Sequence, residues 1–184
     1  MSLSAPVSRE LKHTRQVVCQ GFERSDGQWD IEAQLEDTKS YDIHPDKGGQ
    51  LVAAGDPIHL MKVRLTITTD LLVTAIEVSM EHTPYQQCAN IESAFQSIVG
   101  ESIGGGWRKM LREKLGGVQG CTHIVELLGP IATTAYQSLY KIIFDKTGMV
   151  PLNGCHAWAE DGKLVKEFHP TFYRSPTPPA ASKR

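Results

Sequence analysis

Period-two alternation through the first half of the chain, helical spacing of apolar residues through the second, and turn residues between the runs predict an α+β protein. Antiparallel β-hairpins should pack with about three helices, and a last hairpin should close the chain.

The first hairpin is expected over residues 15–24 and 28–41, joined at Ser25-Asp26-Gly27, because Asp-Gly is a strong turn signal between alternating runs. In its second strand Trp29, Ile31, Ala33 and Leu35 alternate with Asp30, Glu32, Gln34 and Glu36, one face dry and one wet. Cys19 falls inside the first strand, where a small apolar side chain packs well. Residues 42–49 read as loop, with His44 beside Pro45. A second hairpin is expected over residues 58–68 and 72–80, turning near Thr69-Asp70.

Helix follows. Ile91, Phe95 and Ile98 have helical spacing within residues 88–99, Gly100 ends that run, and Gly104-Gly105-Gly106 turns the chain into a short basic helix over residues 107–115. The triple glycine lacks the frame of a phosphate-binding loop. The longest helix should span about 122–144, with Ile124, Leu127, Leu128, Ile131, Ala135, Leu139 and Ile142 on its apolar stripe, and Pro130 should kink or split it. Residues 153–168 read as the closing hairpin, turned at Glu160-Asp161-Gly162. A single domain over residues 1–174 and a disordered Pro/Ala/Ser-rich tail over 175–184 complete the expected organisation.

Composition narrows the function. A net charge of −2 and the absence of a basic stripe argue against nucleic acid as a partner. No apolar run reaches the ~20 residues of a membrane helix. The N-terminal stretch has no hydrophobic segment of the secretory kind, so a cytoplasmic protein with reduced thiols is expected. The four cysteines then read as ligands, nucleophiles or buried small residues, rather than as a disulfide framework.

The chemistry concentrates at Gly120-Cys121-Thr122-His123-Ile124-Val125-Glu126, a thiol, an imidazole and a carboxylate at the mouth of the longest helix. The positive end of a helix favours thiolate, the form that binds metal or attacks electrophiles. Cys88 precedes another helix, and Asp56 and His59 stand at the entrance of the second hairpin. Cys88, Cys121 and His59, with His123 or Asp56 as the fourth, are the candidate ligands of a zinc or iron ion. His123 is alternatively an acid/base, Glu126 the group that orients it, and Asp56 a ligand or general base. Cys155 and His156 are further donors late in the chain. A metal-free Cys–His hydrolase would use Cys121 or Cys88 with His59, His123 or His156.

Several motifs carry a resemblance. The R-S-D-G-Q-W turn, the D-I-E-A-x-L-x-D-T-K strand, G-D-P-I-H-L-M, P-Y-x-x-C, G-x-x-I-G-x-G-W, G-C-T-H-I-x-E-L and G-C-H-A-W together resemble a bacterial family known only as a domain of unknown function, over about residues 15–173. That resemblance implies no activity. From about residue 54 to 135 the chain also resembles iron–sulfur scaffold proteins of the NifU/IscU/SufU kind. There a C-G-D turn leads into a hairpin, and two further cysteines start helices. Here the turn is Ala54-Gly55-Asp56, and the helix-starting cysteines are Cys88 and Cys121. Alanine stands at the first cysteine's place. His59, His123 or Cys155 would have to supply the missing ligand, which favours zinc or mononuclear iron over a cluster.

Three functions follow as expectations. The first is a small metal-dependent enzyme acting on a small organic substrate. The second is a sulfur or iron–sulfur carrier scaffold, IscU/SufU-like in fold, whose partner is a sulfur or iron donor protein. The third is a binding module, metal-free or structured by zinc.

Overall fold

A computed structural model of the chain describes residues 2–44 and 51–175. The architecture is α+β: a four-stranded antiparallel sheet in the order β1-β2-β3-β4, with helices against one face.

The first hairpin joins β1 (His13–Glu23) to β2 (Trp29–Lys39). Their eleven cross-strand pairs run from His13–Lys39 to Glu23–Trp29 without a register shift. At the turn Asp26 accepts the Gln28 N–H at 3.1 Å and the Arg24 side chain at 2.7 Å, while Gly27 takes a φ of 82°. That φ suits glycine and few other residues. The predicted alternation is realised in β2, where Ile31, Ala33 and Leu35 are buried and Glu32, Gln34 and Glu36 are partly wet.

β3 (Pro57–Ile67) and β4 (Val73–His82) form the second hairpin. Leu65–Ile76, Val63–Val78 and Met61–Met80 extend the same dry face. The tight turn between them uses Thr68, whose Oγ1 accepts the N–H groups of Asp70 and Leu72, and holds Leu71 at a φ of 63°.

The run starting near Cys88 is a 3-10 helix, Gln86–Ile98, which packs on β4 through buried Phe95 and Ile98. α1 (Trp107–Leu115) follows the glycine turn, with Gly106 as its cap at a φ of 98°. Trp107 donates its indole N–H to the Leu128 carbonyl at 3.1 Å in the core. α2 (Thr122–Thr147) carries the anticipated stripe, with Ile124, Leu127, Leu128, Ile131, Ala135 and Leu139 all buried. It continues through Pro130, so the helix is not split there. Proline has no N–H to offer the Glu126 carbonyl one turn back. α2 crosses the dry face of β1 closely: a Cβ on Gly21 would lie 1.9 Å from Ser138 Oγ and 2.9 Å from its Cβ.

The chain falls into two compact units by its contacts, Met1–Ile142 and Ile143–Arg184. The second unit departs from the predicted closing hairpin. It contains a 3-10 turn (His156–Trp158), α3 (Lys163–Phe168) and another 3-10 turn (Pro170–Phe172). Gly162 does turn the chain, its N–H bonding the Ala159 carbonyl, but it leads into α3 instead of a returning strand. Only Val165 of that segment is buried, so no second apolar row is present to hold a strand pair. Residues 45–49 of the expected loop and 176–184 of the expected tail lie outside the described residues.

Gly21→Ala tests the contact of β1 with α2. Replacing a strand glycine usually gains about 0.4–1 kcal/mol through the unfolded chain. Overpacking costs about 1–3 kcal/mol, so the urea midpoint should fall. Adding Ser138→Gly should restore more than the two single effects predict, read as a positive coupling in a double-mutant cycle.

Candidate metal centre

The dry row of β2 does not end in a hydrophobe. Trp29, Ile31, Ala33 and Leu35 are followed in the same phase by Asp37, which is 1% exposed. Its neighbours are fixed by register. Arg15 of β1 lies opposite Asp37 on one side and His59 of β3 on the other. The β2–β3 register shifts immediately beyond that pair, between Asp37 and Thr38.

Burying a carboxylate is costly unless it is paired and hydrogen-bonded. Arg15 grips Asp37 with both forks of its guanidinium, Nε to Oδ1 and Nη2 to Oδ2, each at 2.8 Å. Its third donor, Nη1, reaches Glu126 Oε2 at 2.6 Å. His13 Nε2 stands 3.2 Å from Oδ1, and His59 Nδ1 stands 3.1 Å from Oδ2.

α2 delivers the other wall. Cys121 precedes its first turn, and its carbonyl accepts the Val125 N–H. His123, within that turn, lies with its ring centroid 3.8 Å from that of His59 and its Nε2 3.9 Å from Asp37 Oδ2. On the opposite edge of the ring, His123 Nδ1 is 3.8 Å from Cys121 Sγ. One donor atom each from Asp37, His59 and His123 lies within 4.8 Å of the others. Metal–nitrogen and metal–oxygen bonds are about 2.0–2.2 Å, so donors on one ion stand roughly 3–4 Å apart. The three donor atoms, within 4.8 Å of one another, stand near that range.

The electrostatics follow from the contacts. Burial by itself would raise the Asp37 pKa, but the hydrogen bonds and charge of Arg15, with a further contribution from His59, hold it below the ordinary carboxylate value. The hydrogen bond to Asp37 raises Arg15, so the guanidinium stays charged. Burial, then the facing His123, depress His59. Cys121 is also lowered: burial opposes ionisation, and the His123 ring with the N–H groups of Ile124 and His123 outweighs it. The Cys19 thiol, in the sheet as expected, is raised by burial.

The anticipated residues therefore separate. His59 and His123 are brought together as expected. The donor set is Asp/His, not the expected Cys/His, because neither cysteine sulfur belongs to the three-residue group. Cys121 touches the far edge of His123, and Cys88 sits at the start of the 3-10 helix, its N–H bonded to the Tyr85 carbonyl. Asp56 lies exposed in a turn closed by its own N–H to the Ala53 carbonyl. Glu126 anchors Arg15 and not His123. Cys155 and His156 are exposed residues of the second unit. Sequence reasoning missed Asp37, Arg15 and His13. The signal for Asp37 was in reach: a carboxylate in phase with an inward apolar row.

The shifts of Asp37 and His59 predict how stability depends on pH in chelator-treated protein. Asp37 has a depressed folded pKa, so its stabilisation is present above about pH 4 and is lost as pH falls through the folded value. His59 lies below the 6.5 of a free imidazole, so the unfolded chain takes the proton first and stability declines as pH falls below that value. Urea midpoints at fixed ionic strength should thus decline in two stages. His59→Gln should remove part of the upper stage and Asp37→Asn the lower. A wild-type midpoint that stays level from about pH 7 to about pH 5 would contradict the burial assigned to His59.

No curated protein and no solved structure matches the chain, so the scaffold likeness has only its sequence motifs behind it. A family model described as "Protein of unknown function (DUF2889)" matches residues 13–137, from the first residue of β1 into α2 and across every residue of the Asp37 cluster, and the chain belongs to that family.

Proposed function

We propose that Asp37, His59 and His123 hold one divalent transition-metal ion, iron(II) or zinc, and that the protein is a small metal-dependent enzyme acting on a small organic substrate. The observation that carries this reading is the convergence of two imidazoles on a buried carboxylate. Two histidines and one carboxylate bind such ions while leaving coordination positions open for water or substrate. Nitrogen and oxygen donors suit iron(II) and zinc, whereas copper(I) prefers sulfur. The Cys121 contact with Nδ1 would orient His123 and raise its basicity, the usual task of a group behind a metal-bound imidazole. Arg15 bonds both Asp37 oxygens and would have to release one of them for the carboxylate to hold an ion. Acid/base duty falls to groups outside the ligand set, with His13 beside Asp37, Cys121 beside His123 and Glu126 beside Arg15 as the candidates. Four unpaired cysteines agree with a cytoplasmic setting for this chemistry.

A second reading needs no metal. Cys121, His123 and Asp37 stand in a line with spacings of 3.8 and 3.9 Å, the order of a nucleophile, its base and an orienting carboxylate. In this reading Cys121 attacks the substrate directly.

Metal analysis separates the readings. Protein purified without added metal and then equilibrated with iron(II) or zinc should hold one ion per chain. Asp37→Asn and His59→Gln should each weaken binding by about 100-fold, and Cys121→Ser by about 10-fold. Cys88→Ser should bind as the wild type does. Absence of binding in the wild type would leave the Cys121 reading. Acid-labile sulfide with visible absorbance, lost in Cys88→Ser, would favour the iron–sulfur scaffold instead.

A further inference from the structure

The two edges of the sheet are treated differently. The free side of β4 is occupied: Glu92 accepts the Met80 N–H at 2.9 Å, Gln96 donates to the Ile76 carbonyl at 2.8 Å, and Val73 exchanges bonds with Glu101 and Gly100. β3–β4 pairing also carries two register shifts, which twist that edge. β1 has none of these protections. It is eleven residues long, contains neither proline nor lysine, and pairs with β2 without a shift. Among the described residues, no backbone hydrogen bond reaches β1 from any segment other than β2. Long regular edge strands of this kind accept another strand, and proteins normally block them.

Which groups are open follows from the turn. Arg24 donates its N–H to the Gln28 carbonyl, and hydrogen-bonded and non-hydrogen-bonded pairs alternate along an antiparallel ladder. The even-numbered residues from Thr14 to Phe22 therefore bond to β2. The odd-numbered residues from His13 to Glu23 turn their N–H and C=O groups outward.

We infer that the β1 edge pairs antiparallel with β1 of a second copy of this chain, joining two sheets into one of eight strands. The strand is complementary to itself in a single full-length register. With His13 opposite Glu23 of the second copy, every outward residue meets an outward residue, Arg15 facing Gly21 and Val17 facing Cys19. No like charges oppose each other. The two-fold axis then passes between Val18 and its copy, a non-hydrogen-bonded pair whose side chains approach most closely. Val18 is 54% exposed on the open face of the sheet, and Val17 is 42% exposed. Both β-branched side chains would be covered by this pairing.

Sedimentation or light scattering of the full chain should give twice the 20.3 kDa of one copy. Val18→Lys places like charges at the axis and should return the mass to one copy with an unchanged far-ultraviolet spectrum. Register is read separately by cross-linking. In Val18→Cys the new thiols face each other with Cα atoms about 4.5 Å apart, within disulfide reach. Mild oxidation should therefore link two chains far more efficiently than in the wild type. Gln20→Cys faces Gln16 of the second copy and should link no better than the wild type. A single-copy mass at every concentration would overturn the inference. So would a dimer that survives Val18→Lys and gains no cross-link in Val18→Cys, or equal cross-linking of the two cysteine variants.

Discussion

The bidentate contact of Arg15 with Asp37 is the interaction on which the site depends. A carboxylate 1% exposed would cost several kcal/mol to bury alone. The guanidinium offsets that cost because β1–β2 register sets the two residues face to face. The same register buries Ile31, Ala33 and Leu35 against the helices. A slip of one residue would turn all four to the wet face together. Hydrophobic burial therefore positions the polar cluster, and the cluster adds no independent requirement on the fold.

α2 completes the arrangement from the other side. The apolar stripe from Ile124 to Leu139 seats the helix on the sheet, which leaves the side chains before and beside the stripe, Cys121, His123 and Glu126, at the ends of the strands. Asp37 and Glu126 carry two negative charges against the single positive charge of Arg15. Carboxylates thus outnumber the guanidinium in the cluster, an arrangement that favours a cation over an anion. His59, whose pKa is depressed by burial and by His123, takes up a proton less readily than a free imidazole.

Much of the fold could be read from periodicity. Both hairpins of the sheet, the short basic helix and the long helix lie within a few residues of the runs that predict them. The last segment could not be read this way, because Glu160-Asp161-Gly162 is as good a cap for α3 as a hairpin turn, and only burial decides between them. The site was half legible. His59 and His123 stand out as donors at element ends, but ranking donors by chemical type drew attention to Cys88 and Cys121. Ranking them by face would have found Asp37, since it ends the inward row of β2 as His59 begins that of β3. Arg15 follows from the same logic, opposite Asp37 and in phase with Val17 and Cys19. What no pattern in β2 reveals is that α2 delivers His123 to this end of the sheet, a matter of packing across more than eighty residues.

β1 links the two proposals. It supplies Arg15 and His13 to Asp37, yet within the sheet it is paired on one side only. Segments with fewer partners open at lower free energy than central strands. Movement of the first residues of β1 would loosen the guanidinium on Asp37, and the proposed metal site needs one Asp37 oxygen released. A second strand on the outer edge would hold Arg15 and His13 in place through the backbone on either side of them. On the two proposals together, the cost of admitting an ion at Asp37 would depend partly on what covers β1, without any residue of that outer edge touching the metal.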